Sequence, residues 1–272
     1  MSTGPDFRQS LTEGLIDLRL PTVRHCYEEC ARRAERETLS YEQYLAELVS
    51  RECDERKKSR TSRLLRESQL PDDKTLENFD LKRLPTKVGR QLRTLLDGSF
   101  LDRRENLLVF GNPGAGKTHL LCAIARELVI KDSRRIQVTT FALLVQELLA
   151  AKRDLKLSRT IKQLARYEGL IIDEMGYVQQ SREEMEVLFT LLAERYERGS
   201  VLLTSNLAFS KWDGIFKDPM TTAAAIDRLV HHCIILELNI PSYRIEHAKQ
   251  VHTQAAEQEI AEVPPPAAEK TM

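Results

Sequence analysis

Long apolar runs are missing from this chain, and no window approaches the roughly 18 apolar residues that a membrane span requires. Residues 1–10 hold no apolar stretch of the kind an export signal needs, so secretion is not expected. Cysteine is sparse: Cys26, Cys30, Cys53, Cys122 and Cys233 are odd in number and include no Cys-x-x-Cys. That pattern argues against a disulfide frame or a zinc ribbon and for a reducing cytoplasm. His25, Cys26 and Cys30 are half a ligand set without a distant partner pair, which reads as ordinary packing. An excess of one charge is also lacking, because 41 basic residues face 41 acidic ones and bulk charge gives no sign of a nucleic-acid partner. No internal repeat, recognition-helix motif or three-acid cluster for two-metal chemistry can be picked out.

Glycine is absent from residues 15–70, and the only proline between Leu11 and Leu70 is Pro21, so this stretch is read as several helices. Leu39, Tyr44, Leu45, Leu48 and Val49 recur on one helical face, with Ser40 as N-cap. Pro71-Asp-Asp ends the pattern. A helical N-terminal domain is therefore predicted over residues 1–70, serving oligomerisation or docking of a partner or DNA. Leu76 to Leu84 then leads into a second domain over 71–245. Residues 242–262 read as a polar helix, and the tail 246–272, with Pro264-Pro-Pro266, as disordered.

The second domain opens with chemistry. Asn106-Leu-Leu-Val-Phe110 is a buried strand that runs into Gly111-Asn-Pro-Gly-Ala-Gly-Lys-Thr118 and then a helix. This order makes a phosphate cradle, since backbone amides and a helix N-terminus face the anion across a glycine turn. Lys117 supplies charge to the β- and γ-phosphates and Thr118 a hydroxyl to Mg²⁺. The predicted nucleotide-holding stretch is Gly111, Asn112, Pro113, Gly114, Ala115, Gly116, Lys117, Thr118 and His119. Gly169-Leu-Ile-Ile-Asp-Glu174 is a second buried strand ending in two carboxylates, a Walker B pattern. Asp173 would hold Mg²⁺ with Thr118, and Glu174 would act as general base toward water.

Further strands are read at Arg135–Thr140, Val201–Asn206 and Cys233–Leu238, with helices at Phe141–Lys152, Leu157–Tyr167, Arg182–Arg198 and Met220–His231. Alternation at this spacing predicts an α/β fold: a parallel sheet of five strands covered on both faces. Asn206, at the end of its strand, is read as orienting water beside the γ-phosphate or as capping a turn. Arg228 is the candidate arginine finger for a neighbouring subunit's site, or a partner of Asp227 on a solvated helix; Arg195 and Arg198 are the next candidates.

Basic residues recur in stripes. Residues 51–66 carry seven against three acids, 82–104 seven against two, and 152–166 six against one. Lys152, Arg153, Lys156, Arg159 and Lys162 are the candidate contacts to duplex DNA through its phosphates, without sequence preference. A solvated helix face is the plainer reading of each stripe alone.

The runs Gly-Asn-Pro-Gly-Ala-Gly-Lys-Thr-His-Leu, Leu-Ile-Ile-Asp-Glu-Met-Gly-Tyr, Leu-Leu-Thr-Ser-Asn-Leu and Ala-Ile-Asp-Arg-Leu-Val-His-His resemble the IstB family over about residues 10–245. Those are AAA+ ATPases that help insertion-sequence transposases and lie close to DnaC-type helicase loaders. The resemblance implies an AAA+ P-loop domain with a truncated C-terminal lid. It implies Lys117 and Thr118 as Walker A, Asp173 and Glu174 as Walker B, Asn206 as sensor 1 and Arg228 as the finger, with ATP and Mg²⁺ as cofactors. Arg244 in Ser-Tyr-Arg is a weak sensor 2 candidate. The expected function is an ATPase that oligomerises on DNA and assists a transposase, with a helicase loader as the alternative. The expected partners are DNA, a transposase and further copies of the chain, and no membrane.

Overall fold

β1 (Asn106–Gly111) is the strand on which the domain is built, because Leu107, Leu108 and Val109 are fully buried and pair on both sides. The structure is a computed structural model that describes residues 5–175, 181–207, 212 and 226–246. Two compact units divide the chain, residues 1–64 and 65–272.

In the first unit, α1 (Pro5–Asp17), α2 (Pro21–Glu37) and the start of α3 (Tyr41–Ser68) form the expected helices. Pro21 sits in the first turn of α2, where its missing N–H costs nothing. Glu52 accepts from the Thr22 and Val23 amides at 2.9 and 3.1 Å, which satisfies two orphan donors of that helix. Burial opposes the charge on Glu52, but Arg56 and those amides hold its carboxyl below the usual range. Ser40 opens α3 with a reciprocal cap: its hydroxyl takes the Gln43 amide at 3.2 Å, and the Gln43 side chain takes the Ser40 amide at 2.9 Å. The apolar face is less buried than the periodicity predicts. Leu48 is in the core, whereas Leu45 and Val49 are 61% and 52% exposed.

The second unit holds the sheet. β2 (Ile136–Thr140), β3 (Gly169–Met175), β4 (Ser200–Ser205) and β5 (Cys233–Leu238) join β1 in the order β2-β3-β4-β1-β5, all parallel. Leu108, Leu170, Ile172, Val201 and Leu203 face one side, in a core with α7 (Phe141–Arg153), α8 (Leu157–Leu164) and α9 (Arg182–Arg195). Their neighbours Leu107, Val109, Ile171 and Leu202 face the other way by the strand period of two. α6 (Lys117–Asp132), buried along most of its length, contacts β1, β2 and β4. Near-continuous apolar strands are what a sheet covered on both faces demands. Thr140 caps α7, and Ser181 opens α9 with a reciprocal cap to Glu184.

Three departures from the sequence reading are local. Residues 76–84 are not merely a linker, since a 3₁₀ turn forms at Leu81–Arg83 with Asp80 as its cap. α4 (Thr86–Leu95) and the short α5 (Ser99–Asp102) were read only as a basic stripe, yet Val88, Leu92 and Leu95 are buried at helical spacing. Arg195 is the third: its guanidinium is 2% exposed and donates to the carbonyls of Leu164, Tyr167, Glu168 and Ser200 at 2.8–3.3 Å. Gly199 leaves the space for it, because a Cβ there would lie 2.7 Å from an Arg195 nitrogen. Burial, with Arg104 nearby, pulls the Arg195 guanidinium down to about 10. Arg195 thus ties α8, β3 and β4 together and cannot reach another subunit. Gly176 and Tyr177 of the second motif, residues 220–225 of the helix expected before β5, and the tail beyond Glu246 lie outside the described residues. Among the described residues no helix is long and apolar enough to cross a membrane.

Arg195→Met should leave four carbonyls without their donor and cost on the order of 3 kcal/mol. A fall in Tm of several degrees in thermal unfolding is the expected result, and an unchanged Tm would refute this role.

Candidate nucleotide site

At the C-terminal end of β1 the chain turns through residues 111–116 into α6, so that the first amides of that helix face a cleft of about 280 Å³. Gly114, at φ +77°, carries this turn. A Cβ there would lie 2.1 Å from Ser242 Oγ, and the Gly114 carbonyl accepts from the Tyr243 amide at 3.0 Å. The segment after β5 is thereby seated against the cradle.

Lys117 is buried on the cleft floor. Its ammonium donates to the carbonyls of Gly111 and Asn112 at 2.8 and 2.9 Å and to Asn206 Oδ1. Burial pulls its pKa below the usual lysine value; Asp173 opposes that shift and Arg244 adds to it. Arg244 thus lies within electrostatic reach of the cradle and lines the cleft. The Thr118 hydroxyl donates to Asp173 Oδ1 at 2.8 Å, bridging α6 and β3. The Thr204 hydroxyl, from β4, reaches the same oxygen at 2.5 Å.

β3 and β4 lose register between Ile172 and Met175: Ile172 pairs with Leu203 and Met175 with Ser205. Asp173 and Glu174 therefore stand opposite Thr204 alone, as a β-bulge. Asp173 stays buried, whereas Glu174 adopts φ 63° and is exposed at the cleft. Left-handed backbone at a glutamate is a strained choice that the surroundings must hold in place.

Every residue read as holding nucleotide or Mg²⁺ or as acting on water lies at this strand end: the stretch 111–119, Asp173, Glu174 and Asn206. The sequence reading missed Phe79 and Arg83, which also line the cleft. Phe79 lies edge-on to His119, with ring centroids 5.2 Å apart, and His119 Nε2 is 2.9 Å from the Thr75 carbonyl. Arg83 donates to the Pro241 carbonyl at 3.0 Å and stacks on Tyr243, joining the segments before β1 and after β5. Phe79 is the one aromatic in the lead-in 76–84, and that was the available signal.

Arg228 lies elsewhere. It stands on residues 226–230, a helical turn before β5, with its guanidinium 4.4 Å over the Phe189 ring. It lines a second cavity of about 230 Å³ with Arg104, Asn106, Gly199 and His232, residues at the N-terminal ends of the strands. The two cavities occupy opposite ends of the sheet. Of the candidate DNA contacts, Arg153, Arg159 and Lys162 are exposed and have no ion pair among the described residues. Lys152 pairs with Glu186 at 2.9 Å and Lys156 with Asp154 at 3.2 Å.

Residues 14–251 match the family described as IstB-like ATP binding protein. The chain belongs to that family. An insertion-sequence ATP-binding protein of Sinorhizobium fredii is 40% identical over 237 residues, 87% of this chain and 79% of the relative. The IS5376 ATP-binding protein of Geobacillus stearothermophilus is 35% identical over 232 residues, 85% and 92% of the two chains. Among solved structures, AMPPCP-bound DnaA from Aquifex aeolicus aligns with TM-score 0.54 at 18% identity, covering 68% of this chain and 56% of that one. The DnaC helicase loader aligns with TM-score 0.53 at 15% identity, covering 62% and 98%. The fold of this IstB-like ATP-binding protein is accordingly the AAA+ P-loop fold, as the sequence resemblance implied.

Gly114→Ala in this protein would press a methyl group into Ser242 at an unfavourable φ. Its affinity for a fluorescent ATP analogue should fall about tenfold or more, since a shift of 1.4 kcal/mol suffices for that. Wild-type affinity would mean that the cradle does not need this turn.

Proposed function

We propose that this IstB-like protein is a Mg²⁺-dependent ATPase that assembles on duplex DNA and assists a transposase in choosing or engaging its target. One observation carries the reading. The cleft gathers residues 113–119 of the Walker A cradle with Glu174 and Asn206, and Asp173 is tied to it through Thr118, while Arg228 stands at the opposite strand ends, where only a neighbouring copy could use it. Relatives 35–40% identical belong to insertion sequences, which supports a transposase as the partner served.

In this mechanism Lys117 meets the β- and γ-phosphates, and the amides of the α6 N-terminus meet the rest of the charge. Asp173 and Thr118 would hold Mg²⁺; two hard oxygen donors 2.8 Å apart suit that ion. When bound, it offsets charge on the phosphate oxygens. Glu174 takes a proton from the attacking water as the water oxygen bonds to the γ-phosphorus and the bond to ADP breaks. Asn206 orients that water. Arg228 of a neighbouring copy neutralises the transition state, an effect worth about 10³–10⁵ in rate where a finger operates. The helical first unit serves docking or oligomerisation. Arg153, Arg159 and Lys162 track phosphates, and Lys152 and Lys156 can exchange their surface carboxylates for them at small cost. The loader alternative has the DnaC likeness behind it, which at 15% identity is a likeness of fold.

Lys117→Ala should lose ATP binding in a titration, and Glu174→Gln should bind ATP yet turn it over about 10²-fold or more slowly. Retained affinity or normal turnover, respectively, would remove each assignment. Mixing Arg228→Ala with Glu174→Gln tests completion in trans: each is inactive alone, and partial recovery in the mixture is expected. Full activity of Arg228→Ala alone would remove it as the finger.

Binding to random-sequence duplex and single-stranded DNA, with ATP or ADP across a salt series, separates the two functions. Salt-sensitive, ATP-dependent duplex binding is the expected outcome. A preference for single strands would favour the loader, and no binding in any state would defeat both.

A further inference from the structure

The amide that the β3 bulge displaces is caught by a side chain. Glu174 N–H donates to Thr204 Oγ1 at 2.9 Å, and the same hydroxyl donates its own proton to Asp173 Oδ1 at 2.5 Å. Thr204 is 1% exposed, and its bond to Asp173 is buried. A bulge leaves its extra residue outside the strand ladder, and a buried amide without a partner costs roughly 1–3 kcal/mol. The geometry points to Thr204 as the positioning residue that locks this bulge, fixing the left-handed turn that turns Glu174 toward the cleft while Asp173 stays inside. The inference rests on the proposed hydrolytic roles of Asp173 and Glu174.

The chemistry required at position 204 is narrow. The side chain must accept from an amide and donate to a carboxylate at once, which a hydroxyl does and an isosteric alkyl group cannot. Its neighbours complete the arrangement. Thr204 pairs in register with Val109 of β1, so the hydroxyl stands beside the strand that feeds the cradle. Ser205, the next residue, donates to the Met175 carbonyl at 2.8 Å and closes the far side of the bulge. Thr118 and Thr204 approach Asp173 from α6 and β4 and meet on one oxygen, Oδ1. The carboxylate is thus held from two elements by a single atom. Removing the Thr204 half would leave Asp173 tethered to Thr118 alone and would free Glu174 to relax from φ 63° toward ordinary strand geometry.

The test compares full-length Thr204→Val, Thr204→Ser and Glu174→Gln with wild type, reading Tm, ATP affinity and turnover separately. Thr204→Val should keep ATP affinity within about threefold while kcat falls about 10–100-fold, and Thr204→Ser should restore kcat to within about threefold of wild type. A purely structural role would not split kcat from affinity in this way, nor be rescued by serine. The inference is overturned if Thr204→Val turns over normally, if it loses affinity and kcat in parallel, or if serine fails to restore the rate. Should Thr204→Val not fold, Thr204→Ser alone decides: retained turnover supports the role, and a loss beyond about tenfold overturns it. Normal turnover in Glu174→Gln would defeat the base assignment and this inference together. A slow Glu174→Gln beside a normal Thr204→Val would defeat only the inference.

Discussion

One carboxylate oxygen, Asp173 Oδ1, holds the candidate site together. It takes hydroxyl protons from Thr118 on α6 and Thr204 on β4, and so joins the cradle helix, the carboxylate strand and the strand that carries Asn206. Burial makes this arrangement both strong and demanding. In a low-dielectric interior a satisfied polar network is rigid, and a half-satisfied one is costly. The sheet order supplies the rest of the constraint. The chain leaves β1 for the edge strand β2, returns through β3 to β4 beside β1, and then crosses β1 to reach β5, so β1 lies inside the sheet with strands on both sides. The cradle, the two carboxylates and Asn206 meet there because their strands all end in the same direction.

The strands and the cradle were legible in the sequence because their signals are local. β5 begins and ends where the apolar run Cys233–Leu238 does, and the glycine pattern between β1 and α6 allows few other conformations. What escaped was set by tertiary context. Arg195 looks like any surface arginine on a helix, and only the meeting of α8, β3 and β4 around it reveals a buried cross-link. Phe79 and Arg83 carry no motif, and their place depends on a return of the chain after β5 that no local pattern encodes. The bulge at Asp173 and Glu174 was invisible for a similar reason. An Asp-Glu pair at a strand end says nothing about whether both residues keep the strand's alternation. The answer lies in Thr204, 30 residues later.

The positions of Arg195 and Arg228 show how little sequence distinguishes two opposite uses of one side chain. Both flank the second cavity at the N-terminal ends of the strands. Arg195 spends its donors on four internal carbonyls, and burial lowers its pKa. Arg228 is partly buried, with its guanidinium over the Phe189 ring. On the proposed reading Arg195 is structural and Arg228 acts at a neighbouring copy's site.

Lys117 raises the last physical question, which is how a buried ammonium is tolerated. Its three hydrogen bonds go to neutral oxygens, two of them cradle carbonyls and one the side chain of Asn206. These satisfy its donors but leave its charge only partly compensated, and burial depresses its pKa despite the nearby Asp173. An incoming phosphate would offer the compensating charge and compete for the same protons. The Lys117–Asn206 contact sets the ammonium proposed to hold phosphate beside the amide proposed to orient water, so on that reading phosphate capture and preparation for hydrolysis share one contact.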